Sequence, residues 1–252
     1  ESPAGQRQVA YWRERLAGAP PPLEMPVDRP RTADAGMTAA MERAVFPAPL
    51  LAALRSRARE RGDTLYMLLL AALKVLLLRY TGERDLLVVS PVANRNRLET
   101  EGVIGFFTNT LALRLDLAGD PSFRALARRA RAATLEAYAH QDLPLERLVE
   151  ELAPSREGGR NPLFQVMVGL HPRGADGEPL PGARDRDLPH TTAKFELHFA
   201  FIDRFDTGDL VVDLEYACDR ADRADADALV GALERLLADV STAPDRRLAD
   251  FA

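Results

Sequence analysis

The sequence predicts an α/β fold, a mixed β-sheet flanked by helices. Short apolar runs of strand length, such as DLLVVSPVA (85–93), AKFELHFAFI (193–202) and DLVVDLEYA (209–217), alternate with stretches of helical periodicity. Glycines and prolines punctuate the junctions, as at Gly62, Gly82 and Pro121. Hydrophobic residues make up 46% of the 252, ample for a sizeable core.

In chain order, RQVAYWRERLA (7–17) predicts a short amphipathic helix with Tyr11, Trp12 and Leu16 on one side. The proline-rich GAPPPLEMPVDRPR that follows lacks donors and has fixed φ, so it should run extended over a surface. AAMERAVF (39–46) reads as a strand. A helix over Pro49–Arg61 should stop at Gly62, and Asp63 or Thr64 can cap the next one. That helix, LYMLLLAALKVLLLRY, is apolar nearly all round and therefore buried, and Gly82 ends it.

Residues 85–93 predict a central strand, and VIGFFTNTLALRLDL (103–117) a second strand region whose later half alternates apolar with Ala112, Arg114 and Asp116. Ser122–His140 predicts a helix after Pro121. Leu143–Leu152 predicts a shorter one, with Asp142 as N-cap and Pro144 in its first turn. PLFQVMVGL (162–170) is a strand, 171–192 a loop, and the strands at 193–202 and 209–217 are joined by a turn at 206–208. An amphipathic helix from about Arg223 to Val240 closes the chain.

A net charge of -5 argues against a nucleic-acid partner. One cysteine, Cys218, leaves no disulfide framework or paired-cysteine metal cluster, and no metal is expected. The longest apolar run, Met67–Leu78, is broken by Lys74 and is too short for a bilayer, which takes about 20 residues. No signal-like segment opens the chain. A cytoplasmic protein without membrane partners is expected. The first residue is Glu1 rather than Met, so a piece of a longer polypeptide is also expected.

Catalytic signatures are sparse. His140, His171, His190 and His198 show no metal-binding spacing, and no nucleophile elbow or phosphate loop occurs. Three segments stand out instead. In SPVANRNRLETEGVIGFFTNTLALR (90–114), Thr108, Asn109 and Thr110 place polar groups in an apolar run. Burying such groups unpaired costs about 1–3 kcal/mol each, so they need internal partners or a ligand. The others are HQDLPLERLVEEL (140–152) and SREGGRNPLFQVMV (155–168).

In this order, the three resemble the later core motifs of nonribosomal peptide synthetase condensation domains. IGFFTNTLALR is similar to the family's I-G-x-F-x-N-T pattern with its following Arg. HQDLPLERL is similar to H-Q-D-x-P-F-E, with Leu145 for Phe, and SREGGRNPLFQVM to S-R-N-P-L-F-Q, with Glu-Gly-Gly inserted. YWRERLAGAPPPLEMPVDRPR resembles the inter-half segment, and TAKFELHFAF with DLEYACDR the last strands. The family's H-H-x-x-x-D-G motif has no counterpart here.

The resemblance implies the C-terminal half of a condensation domain, a chloramphenicol-acetyltransferase-like half-domain. Its inter-half linker with a short helix would be 1–36 and its C-terminal subdomain 37–252. It implies amide formation between two carrier-bound thioesters in a tunnel shared with the N-terminal half. No catalytic residue is expected in this half. Ser90 and Asn109 become the first substrate-binding candidates, Asn109 as a donor to a carbonyl or oxyanion, with Asn94, Arg95 and Thr110 at the tunnel rim. Arg114, Asp142 and Arg160 are assigned to structure. No cofactor binds directly; 4'-phosphopantetheine arrives on upstream and downstream peptidyl carrier proteins, with an adenylation domain adjacent. Two alternatives are a relative that recruits partner enzymes instead of condensing and an epimerising or cyclising one; FFTNTLALR looks more like the condensing type than the epimerising one.

Overall fold

The computed structural model describes residues 2–25, 38–152, 164–173 and 192–251. Arg160, Asn161, Pro162, His190 and positions 174–191 of the expected loop lie outside them. The elements are α1 (Pro3–Leu16), β1 (Ala39–Phe46), α2 (Ala48–Arg59), α3 (Leu65–Thr81), β2 (Asp85–Val92), α4 (Leu98–Glu101), β3 (Asn109–Asp116), α5 (Phe123–Ala139), α6 (Leu145–Leu152), β4 (Val166–Arg173), β5 (Leu197–Arg204), β6 (Leu210–Ala217) and α7 (Arg223–Thr242). The six strands form one mixed sheet in the order β1-β6-β5-β4-β2-β3. β2, β4 and β5 run parallel to one another, and the remaining pairings are antiparallel.

Strand periodicity sorts the side chains. Leu86 and Val88, Leu111 and Leu113, Val166 and Val168, Phe199 and Phe201, and Val212 and Leu214 share one face and are nearly inaccessible. Against that face lies α3, buried from Tyr66 to Leu77, with α5 and α7 packed on it. The all-round apolar pattern of α3 follows from this position between two layers. Thr64 Oγ1 accepts the Met67 N–H at its start, and Gly82, at φ 75°, ends it in a left-handed turn.

Among the described residues, Lys74 is the ionisable side chain that is fully buried, and it lies inside this layer. Its Nζ donates to the carbonyls of Leu86 (2.6 Å) and Leu113 (2.9 Å) on adjacent strands. Burial drives its pKa well below the ordinary lysine value, with only Asp85 opposing.

Four expectations shift by more than two residues. The strand region 103–117 is a strand only from Asn109; 98–101 form a helical turn, and Val103, Ile104 and Phe106 stand exposed in the loop that follows. β4 begins at Val166 and extends through Arg173, into the stretch read as loop. β5 starts at Leu197 rather than at residue 193. The first helix is longer than expected, because Ser2 caps it by accepting the Gly5 N–H, and its Trp12 and Leu16 are sealed into the main core.

Candidate functional site

The β2–β3 register sets Ser90 opposite Leu111, Pro91 opposite Thr110 and Val92 opposite Asn109. Asn94 and Arg95 follow directly past the end of β2. The structure thus gathers all five candidate residues at one end of this strand pair. Their side chains, however, go different ways. Facing residues of an antiparallel pair share a side, so Ser90 and Asn109 lie on the helix-covered face and Thr110 on the other.

Ser90 is 5% exposed and sits near the Tyr66 hydroxyl of α3. Burial pushes the Tyr66 pKa up, Ser90 partly opposes it, and the phenol oxygen itself is buried. Asn109 uses its whole capacity inside the chain. Nδ2 donates to the carbonyls of Gln141 (2.7 Å) and Leu143 (2.8 Å), and Oδ1 accepts from the N–H groups of Thr110 (2.8 Å) and Leu145 (3.2 Å). The donor expected to face a substrate carbonyl is therefore already engaged. Oδ1 also does what was expected of Asp142: it takes a first-turn N–H of α6, while Asp142 is exposed upstream of Pro144. An N-cap supplied by another strand leaves no local sequence signal.

Arg95 is a loop staple. Its guanidinium donates to the carbonyls of Thr100, Val103 (2.9 Å) and Gly105 (3.2 Å) and lies 4.4 Å from the Phe107 ring centroid. Asn94, at φ 52°, starts the turn into this loop. The stapled loop carries Leu98, Ile104 and Phe106 outward, at 82%, 101% and 91% exposure. Sequence reading placed Ile104 and Phe106 in a strand, because an apolar run looks alike whether its partner is its own core or another body.

Arg114 is structural, as expected. It makes a bidentate pair with Asp85 (Nη2–Oδ2 2.7 Å) and donates to the carbonyls of Ala17 (2.8 Å) and Gly18 (2.9 Å) at the end of α1. The Asp85 carboxylate raises its pKa further. Arg15 of α1 returns a bond to the Arg114 carbonyl (3.0 Å), covering β3, a terminal strand of the sheet. Two further contacts of α1, both with His140, escaped the sequence reading. Trp12 Nε1 donates to the His140 carbonyl (2.8 Å), and Tyr11 stacks on the His140 ring at 3.8 Å. Beyond α1, the Leu23 N–H donates to Gln165 Oε1 (2.8 Å), next to β4.

The other described histidines stand apart. His171 is exposed over Gly169, where a Cβ would lie 3.1 Å from its Nε2. His198 sits partly buried on β5, opposite Glu215 of β6, on the face away from the helices. Among the described residues, no group of three or more His, Cys, Asp or Glu side chains could hold a metal ion. No helix among them is long and apolar enough to cross a membrane.

A mixed sheet layered by helices is the chloramphenicol-acetyltransferase-like fold. The chain belongs to the condensation-domain family, whose model matches residues 1–252. It is 44% identical over 243 residues to a linear gramicidin synthase polypeptide of Brevibacillus parabrevis, covering 95% of this chain and 3% of that protein. It superposes on the X-domain in its complex with OxyB from teicoplanin biosynthesis with a TM-score of 0.85 and 29% identity, over 99% of this chain and 55% of that one. A holo four-domain nonribosomal peptide synthetase bound to AMP and glycine gives a TM-score of 0.88 at 23% identity, over 98% of this chain and 20% of that one. The chain thus spans a small fraction of its curated relative and about half of the X-domain chain.

Proposed function

We propose that this chain is the C-terminal half of a condensation domain that joins two carrier-bound thioesters by an amide bond in nonribosomal peptide synthesis. The observation that carries this reading is the apolar loop. Side chains as exposed as Ile104 and Phe106 call for a covering body, and each gains about 1.5–3 kcal/mol when buried. They stand at the strand end where the motif residues gather. The chain also spans 55% of the X-domain chain, leaving room for a second half to supply that cover.

In the reaction, the acceptor amine attacks the donor thioester carbonyl, the C–N bond forms, the C–S bond breaks, and the departing thiolate takes up the proton released by the amine. Phosphopantetheine arms on an upstream and a downstream carrier protein deliver both substrates, and an adenylation domain loads the carrier. Tethering makes the encounter effectively unimolecular, so the protein's contribution is chiefly placement. With Asn109 and Arg95 engaged internally, Asn94 and Thr110 are the rim residues left to meet substrate; Ser90 is buried beside Tyr66. The reactive imidazole comes from the other half.

The test compares the complete domain with this chain alone, each supplied with loaded carriers, following dipeptidyl product by mass spectrometry. Product from the complete domain only is expected. Product from the chain alone, or none from the complete domain, refutes the reading. Recruitment of a partner enzyme is the second reading, favoured by the structural likeness to an X-domain in complex with OxyB; a complete domain that binds such a partner and forms no amide would establish it.

A further inference from the structure

Residues of two of the three motifs meet at one segment. Asn109 of β3 holds the 141–145 turn through both its amide donors and through Oδ1. The same turn is held from the other side by α1, through Trp12 Nε1 on the His140 carbonyl and Tyr11 on the His140 ring. Arg13 of α1 pairs with Glu151 of α6. The carbonyls of Ala17 and Gly18, just past α1, accept from Arg114, and Arg15 donates back to the Arg114 carbonyl. The contacts therefore close a ring: β3, turn, α1, and β3 again. Gln165 extends it by holding Leu23, just past α1.

The apolar loop begins where β2 ends and finishes at Asn109, one corner of this ring. Arg114 is the opposite corner, five residues along β3 and so roughly 17 Å away. It touches neither the loop nor the rim. We infer that Arg114 and Asn109 are positioning residues for condensation: together with α1 they fix the pose of the 93–108 loop, and through it the wall that the loop presents to the reacting groups. The inference rests on the proposed reading of the loop as part of a shared cleft. The chemistry suits the task. A guanidinium satisfied at once by a carboxylate and by helix-terminal carbonyls is held in one orientation, and an amide with all four valences used has no alternative rotamer of equal energy.

The experiment uses the complete domain carrying Arg114→Lys or Asn109→Asp. Lysine keeps the charge and loses the fork; aspartate keeps the shape and sets a carboxylate against the Gln141 and Leu143 carbonyls. Amide formation is measured against acceptor-carrier concentration, and hydrogen exchange is followed over residues 3–17 and 98–108. The expected result is a fall in kcat of about tenfold or more, as misplacement by an ångström produces, with the carrier KM within twofold of wild type. Exchange should quicken in α1 and in the loop together. A folded Arg114→Lys domain with wild-type kcat, or with a loop as protected as in wild type, overturns the inference. Should both variants fail to fold, Arg15→Ala weakens the ring by removing the side-chain bond to the Arg114 carbonyl while the Arg114 bonds to Ala17 and Gly18 remain, and the same two readouts, each shifted in the same direction by less, decide. A wild-type domain that forms no amide refutes the condensation reading instead, while loop exchange in the variants still reports whether the ring governs the loop.

Discussion

Replacing Lys74 by Met should change how the fold responds to pH, and the sign follows from the burial. The amine is fully buried and meets two carbonyls. A neutral amine has two N–H donors, which these two acceptors satisfy; an ammonium would bring a third donor and an uncompensated charge. The folded pKa accordingly lies well below the unfolded value of 10.5. Between the two, the unfolded chain carries one proton more than the folded chain. The free energy of unfolding then rises with pH by about 1.4 kcal/mol per unit, and the stability withheld at lower pH is regained by the unfolded pKa. Met fills a similar volume, keeps the strand ladder and has nothing to titrate. The wild-type minus Lys74→Met difference, measured by urea unfolding over a pH series up to 10, should climb with that slope as the pH rises from the folded toward the unfolded pKa. Subtraction removes every other titrating group. Parallel pH profiles for the two proteins would refute a neutral, buried Lys74.

Two further outcomes are expected. Phe106→Ser should weaken association of this chain with a separately produced N-terminal half by about tenfold to a hundredfold in a binding titration, while its own melting temperature holds, since the side chain is 91% exposed. Thr64→Ala removes the acceptor for the Met67 N–H at the start of the central helix and should cost about 1 kcal/mol in denaturant unfolding; an unchanged midpoint would mean that solvent takes over the cap.

Much of the fold was legible because local chemistry and tertiary role agree. Thr64, the apolar run and Gly82 each state a start, a burial and a stop for α3, and the structure uses all three. β6 alternates or runs apolar as its half-covered position demands. The candidate site was legible as a location and less so as chemistry. Polar residues at 108–110 signalled a need for partners, and the β2–β3 register does assemble the chosen residues at one end. Which partners they take depends on chain segments tens of residues away. Asn109 is satisfied from positions 141–145, and Arg114 from Asp85 and positions 17–18. No window of sequence displays such pairings. The exposed loop misled for the opposite reason: Ile104 and Phe106 carry the apolar signature of an interior yet stand exposed.

The seating of α1 also bears on how such domains can be recombined. Trp12, Arg15 and Leu16 are matched to His140, Arg114 and the core beneath, although more than ninety positions separate α1 from β3. A chimera spliced between α1 and β1 would graft the helix of one parent onto the socket of another, and every mismatch there would be inherited by a junction that looks innocuous in an alignment. A crossover placed before Ser2 transfers plug and socket as one heritable unit.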